Sequence, residues 1–162
     1  MSFRAIGLVL CATALSACDG PGRPYTIGVA GPWKPSQGRN TRLGITLALR
    51  EINENGGVRG HPLQLREADD EADGGQATQV AQQFVDDASI SAVIGHVTSG
   101  AMVAAAKVYD GHLSAVATSA SSPDLTGISP WTFRVISSDS VKQRGDSAVR
   151  LTARTPARPY PL

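Results

Sequence analysis

The sequence predicts an α/β fold, a doubly wound parallel sheet with helices on both faces. Three observations carry that reading. Short apolar runs alternate with longer runs whose apolar residues recur at helical spacing. The order is strand, helix, strand, helix, strand, helix, strand, which is the signature of βαβ units. Loops rich in Gly, Pro, Ser and Asp follow the strands, where sheets of this kind bind ligands.

Each element has its own reason. "YTIGVA", Tyr25 to Ala30, reads as a short buried strand. "GPWKPSQG", Gly31 to Gly38, reads as a loop, because two prolines and two glycines oppose regular structure. From Thr41 to Glu54 the period becomes helical, and the stripe Ile45, Ala48, Leu49, Ile52 is expected to bury Ile45, Leu49 and Ile52. Asn55-Gly56-Gly57 supplies the left-handed cap that ends this helix. Leu63 and Leu65 alternate with polar residues in a second strand, and Asp69 to Gly75 is a loop. Ala77, Val80, Ala81, Phe84 and Ala88 mark a second helix. Ser91 to Ile94 is a third strand. Met102, Ala105, Ala106 and Tyr109 mark a third helix. Leu113 to Thr118 is a fourth strand, Ser119 to Pro130 a loop, and Trp131 to Ile136 a last extended segment.

The 162 residues carry a formal net charge of +1 and 41% hydrophobic residues, enough for one domain with a real core or one lobe of something larger. Aromatics are only 5%, so the core must come from Ala, Val, Ile and Leu. No basic stripe with interleaved aromatics exists, which argues against a nucleic-acid partner.

The first residues read as a targeting segment. Arg4 gives a positive start, Ala5 to Leu15 is apolar and too short for a permanent span, and "LSAC" ends it at Cys18. Residues 1–17 are therefore expected to be a signal peptide, with 18–24 a Gly/Pro linker. "LSAC" resembles a bacterial lipobox, which implies lipid on Cys18 and a protein tethered to the outer face of the cytoplasmic membrane. An ordinary signal cut after Ala17 is the alternative. Cys11 lies in the apolar segment, so no disulfide is expected in the exported domain.

"AVIGHVTSG" places a hydroxyl-rich turn between the third strand and the third helix. Thr98 or Ser99 is expected to cap that helix. Helix N-termini also hold carboxylates, so the same turn is a candidate anion site. Four catalytic or metal motifs fail. The Asp69 loop has Glu71 and Val80 where a calcium loop needs other residues. Val97 and Ala101 stand where a nucleophile elbow needs glycines. No Gly-Lys-Ser/Thr triplet marks a phosphate loop. His61, His96 and His112 lack metal-ligand spacing, and His96 reads as a hydrogen-bonded structural group.

"IGVAGPW", "GITLALREINENGGVRGHPLQLREADDEAD", "AVIGHVTSG" and "ATSASSPDLT" together resemble the N-terminal lobe of type I periplasmic solute-binding proteins, most nearly the leucine/isoleucine/valine group of ABC importers. The likeness covers Thr26 to Gln143. It implies one Rossmann-like lobe, residues 25–141, that closes with a second lobe around a small solute. It implies an amino-acid ligand, ABC permease subunits as partners, no cofactor, no metal and no catalysis. By position it places Ser99 and Ser121 at the ligand carboxylate, with Thr98 beside them, and the Ser119 carbonyl at the ammonium. A tyrosine in the first loop of some members is matched here by Gln37, and Trp33 is the candidate apolar contact instead. A disulfide of some members is matched by Ala72 and Thr98, so it is lost as a pair.

The chain is short for a family with two lobes, and the Arg/Pro-rich tail, residues 142–162, stops looking like the family. A truncation or frameshift near Gln143 is the expectation, with disorder as an alternative for the tail. Two other functions stay open. One is a ligand sensor of the same fold coupled to a membrane receptor. The other is a secreted hydrolase using Ser99 with His96 or His112, which the failed elbow disfavours.

Overall fold

The structure, a computed structural model, describes residues 22–143. Residues 1–21, which include the expected signal peptide and Cys18, and residues 144–162 of the tail lie outside the described residues.

Five parallel strands form one sheet: β1 (Tyr25–Gly31), β2 (Leu63–Asp69), β3 (Ile90–Ile94), β4 (Ala115–Ala117) and β5 (Thr132–Arg134). Their order across the sheet is β2-β1-β3-β4-β5. The helices are α1 (Ser36–Glu54), α2 (Gly74–Asp86) and α3 (Ser99–Tyr109), with a 3₁₀ turn at Pro123–Leu125 inside the loop after β4. The first crossover runs outward to β2, while the second returns over β1 to β3. The chain therefore reverses direction between β1 and β3, and a crevice opens there at the carboxyl ends of the strands.

The helices occupy both faces. A Cβ added at Gly28 would meet Phe84 of α2 at 2.9 Å, so that side of β1 lies under α2. Its neighbour Ile27 points the other way and lines a groove with Ile45 and Leu49 of α1. The closed core lies on the α2/α3 side: Ala77, Val80, Ala81 and Phe84 of α2 pack with Ala101, Met102, Ala105 and Tyr109 of α3 onto Ala30, Val93 and Ala115. Small side chains let these helices sit close to the sheet, as a core poor in aromatics requires.

Three expectations need correction. The loop after β1 is shorter than Gly31 to Gly38, because α1 already begins at Ser36. Pro35 sits at its N-cap with φ −67° and ψ 153°, where a missing N–H costs nothing. Ala88 does not belong to the α2 stripe. The helix ends at Asp86, and Ala88 is exposed in the turn beyond it. The third concerns α1. Its stripe faces the sheet as the period implies, but Ile52 is 38% exposed and Ile45 and Leu49 are only half-buried. Between α1 and the strands an open groove of about 400 Å³ remains, lined by Ile27, Leu49, Ile52, Leu63, Leu65 and Ile94. Helical spacing fixes which face turns inward. It does not supply the neighbours that would cover that face.

Gly56 and Gly57 have φ of +92° and +73°, and the Gly57 amide donates to the Ile52 carbonyl at 2.9 Å, so the expected left-handed stop of α1 is present. Among the described residues no helix is long and apolar enough to cross a membrane.

Candidate ligand-binding site

The site is built from the turns after β3 and β4. Gly95 leaves β3 with φ +130°, and an added Cβ there would lie 2.2 Å from the Ala30 carbonyl oxygen. Only glycine passes so close to β1 in that conformation. The chain then runs through buried His96 and Val97 to Thr98, the N-cap of α3. Thr98 makes no side-chain capping bond, and its Oγ1 is buried without a partner among the described residues. Ser99, the first residue of α3, does something else. Its Oγ accepts hydrogen bonds from the Ser121 and Ser122 amides, each at 3.2 Å. The two turns expected to share a site are thus joined directly.

Ser121 is clasped in turn. Its hydroxyl donates to Asp139 Oδ2 at 2.8 Å, and the Asp139 amide donates to the Ser121 carbonyl at 3.0 Å. The Ser121 hydroxyl, and then Lys142 and Arg134, hold the Asp139 carboxyl below its ordinary value. Arg134 braces the same loop, donating to the Ser122 carbonyl at 2.9 Å and to Thr126 Oγ1 at 2.6 Å. Ser122 opens the 3₁₀ turn by accepting from the Asp124 amide.

Chemically this is a donor-rich corner. Ser99 Oγ still owns its own proton after accepting twice. The first-turn amides of α3 point outward, and no acidic residue in that turn offsets the positive helix end. A carboxylate placed there would exchange the internal bonds between Ser99 and the 121–122 amides for charge-assisted ones.

The other predicted residues are distributed around it. The Trp33 ring lies over Gly31: a Cβ on that glycine would meet Val97 Cγ2 at 2.6 Å and Trp33 Cζ3 at 2.9 Å. Trp33 therefore stands beside the 96–99 turn. Its amide donates to Asp69 Oδ1 at 3.4 Å and the Arg42 guanidinium sits 5.8 Å over its ring. Gln37 is exposed in the first turn of α1. Ser119 is half-buried and lines the end of the α1 groove with Thr118. The sequence reading missed Ser122, Asp139 and Arg134. His96 is the hydrogen-bonded structural group expected, with partners the sequence did not name: the imidazole is buried between Asp70 and Tyr109 and makes no bond to Ser99.

The comparisons with known proteins fit this geometry. The model of the family described as "Periplasmic binding protein" matches residues 25–157. The chain belongs to that family. Its members bind solutes and catalyse nothing, so the hydrolase alternative is set aside. Leu/Ile/Val-binding protein homolog 2 of Brucella abortus is 32% identical over 136 residues, 80% of this chain and 36% of that protein. An amino acid binding protein of Pseudomonas aeruginosa is 39% identical over 87 residues, 52% of this chain and 23% of that protein. Among solved structures, an ABC transporter substrate-binding protein from Desulfitobacterium hafniense in complex with Leu superposes with a TM-score of 0.74. It is 38% identical, and the match covers 82% of this chain and 40% of that one. The chain thus spans well under two thirds of the length of each of these relatives.

Proposed function

We propose that this chain supplies the N-terminal wall of an extracytoplasmic amino-acid-binding site, serving an ABC importer of branched-chain or related amino acids. The observation that carries it is Ser99 Oγ meeting the Ser121 and Ser122 amides across two neighbouring βα turns at the switch point of the sheet. The solute's α-carboxylate would sit on Ser99, Thr98 and Ser121 at the N-terminus of α3. Its ammonium would face the Ser119 carbonyl, and Trp33 and Gln37 would border the apolar side chain. The Leu complex of the Desulfitobacterium relative supports the solute class. In the same reading Cys18 carries lipid, and the site faces the periplasm or the cell exterior, where permease subunits receive the solute.

Magnitudes say that one wall is not enough. Charge-assisted hydrogen bonds contribute on the order of 1.5–3 kcal/mol each. Micromolar affinity needs about 8 kcal/mol after the entropy cost of association. The remainder must come from enclosure by an opposing surface. The test is leucine calorimetry on the 162-residue chain and on a chimera in which the Desulfitobacterium relative's second lobe follows residue 143. Weak or undetectable binding by the first and clear binding by the second is the expected pair. Tight binding by the short chain, or none by a folded chimera, would refute the proposal.

A further inference from the structure

Beneath the Ser99 turn lies a closed chain of polar side chains with no direct contact to the proposed solute. Asp70 follows β2, His96 follows β3 and Tyr109 ends α3, and all three are 0% exposed. His96 Nδ1 lies 2.6 Å from Asp70 Oδ2, and Nε2 lies 3.1 Å from the Tyr109 hydroxyl. The second Asp70 oxygen accepts from the Ala72 amide at 2.9 Å, and the Asp70 amide donates to the Gly31 carbonyl at 3.3 Å. The Asp70 backbone is thereby tied to β1 and its carboxylate to its own loop.

The protons in this chain can be placed. A buried hydroxyl must give its hydrogen to an acceptor. Burial first, and then the Asp70 charge, push Tyr109 ionisation far above the ordinary tyrosine value, so the phenol keeps its proton. The acceptor beside it is Nε2. Nε2 must then be bare, and Nδ1 carries the hydrogen that Asp70 accepts. The opposite tautomer would leave the phenolic proton without that acceptor and set a bare nitrogen against a carboxylate.

Only Val97 and Thr98 separate this anchored ring from Ser99, and Val97 is itself buried. The His96 amide is also held, donating to Met102 Sδ of α3 at 3.2 Å. We propose that His96 is a positioning residue: held by Asp70 as one tautomer, it sets the height of the 96–99 turn at which Ser99 Oγ meets the Ser121 and Ser122 amides. Its bearing on solute affinity rests on the function proposed above. The positioning itself does not.

Two substitutions separate the two bonds of the ring. His96→Asn keeps a donor where Nδ1 stood and loses the partner of Tyr109. His96→Gln reaches toward Tyr109 and loses the donor to Asp70. The test is NMR on the 162-residue chain. The wild-type ring is expected to show a protonated Nδ1, strongly downfield, and an unprotonated Nε2. Exchange protection of the Ser121 and Ser122 amides is expected to survive His96→Asn and to fall by about tenfold or more in His96→Gln. The core amides of Val29 and Val93 should change equally in the two variants, which a merely structural role would not dissociate from the turn. Equal loss of turn protection in both variants, or a wild-type ring protonated at Nε2 and bare at Nδ1, overturns the proposal. Should His96→Gln fail to fold, Tyr109→Phe decides together with the ring spectrum: the Asp70 bond remains, so protection at Ser121 and Ser122 should persist, and its loss refutes the assignment. A leucine titration separates the two readings. In the two-lobed chimera, shifts at Ser99 and Ser121 that ignore leucine, beside the expected tautomer and protection, count against solute binding and not against positioning.

Discussion

Ser121 and Asp139 hold each other by two bonds, hydroxyl to carboxylate at 2.8 Å and amide to carbonyl at 3.0 Å. Asp139 lies beyond β5, so this clasp ties the segment leaving the sheet to the loop that carries half of the candidate site. Because Ser121 spends its hydroxyl proton on Asp139, a solute carboxylate at this corner must rely first on Ser99 and on backbone amides.

The clasp should depend on pH with a definite sign. Asp139 has a carboxyl held below its ordinary value, by the Ser121 hydroxyl first. A depressed carboxyl contributes stability above its unfolded value, about 3.9, and loses it as pH falls through the lower folded value. Ser121 hydroxyl exchange and the Asp139 amide should therefore stay protected at neutral and mildly acid pH and open only in stronger acid. Asp139→Asn should abolish that transition. NMR exchange measured across the acid range checks it, and an acid transition that persists in Asp139→Asn would contradict the assignment.

Gly95→Ala should be destabilising. The new methyl would lie 2.2 Å from the Ala30 carbonyl at φ +130°, so strain and a steric shift add. The expected cost is ~2 kcal/mol or more. Urea denaturation measures it, and a change under half a kcal/mol, about the size of an ordinary surface substitution, would show that the turn adapts freely.

Ser99→Ala should separate the site from the fold. It removes the acceptor of two amides and the hydroxyl nearest the proposed carboxylate. In the two-lobed chimera leucine affinity should fall by about tenfold, the worth of one lost hydrogen bond to a charged group. Thermal melting checks that the fold survives. Unchanged affinity would remove Ser99 from the site.

If Cys18 is the lipid attachment point, the mature protein begins there with an acylated thiol. Mass spectrometry of the purified N-terminus decides this. A retained Met1, or an unmodified N-terminus at Asp19, would refute the anchor.

How far the sequence was legible depends on where the partners of each residue lie. The stripes of α2 and α3 were readable because those helices pack on each other and on the sheet, so period and burial coincide at Phe84, Met102 and Tyr109. The alternation fixes parallel strands and right-handed crossovers, but the order β2-β1-β3-β4-β5 is visible only in the structure. Cross-turn contacts carry no local signal. Ser99 and Ser121 are 22 residues apart, and His96 and Asp70 are 26 apart, so no window of the sequence pairs them. The family likeness supplied Ser99 and Ser121. Nothing supplied Asp139, whose place is set by how β5 hands the chain on. The Thr98/Ser99 cap was ambiguous for a physical reason: a hydroxyl at a helix start can bond its own turn or a neighbour, and Ser99 does the latter.

The two faces of the sheet should respond unequally to the same kind of truncation. Phe84 is 2% exposed and packs over Gly28 on the closed α2/α3 side. Phe84→Ala leaves a cavity that close-packed neighbours cannot fill, at a cost of about 3–5 kcal/mol. Leu49 sits half-buried on the open α1 groove, which solvent already reaches. Leu49→Ala removes apolar contact without creating a closed void, so its cost should stay near 1 kcal/mol from transfer alone. Ile52→Ala, at 38% exposure, should cost no more than that. Urea denaturation of the 162-residue chain and these three variants gives the comparison. If Leu49→Ala proved as damaging as Phe84→Ala, the α1 face would have to be covered in solution. In the two-lobed chimera the same measurement would then show whether a second lobe changes the response of Leu49, a shift that an already closed groove would not permit.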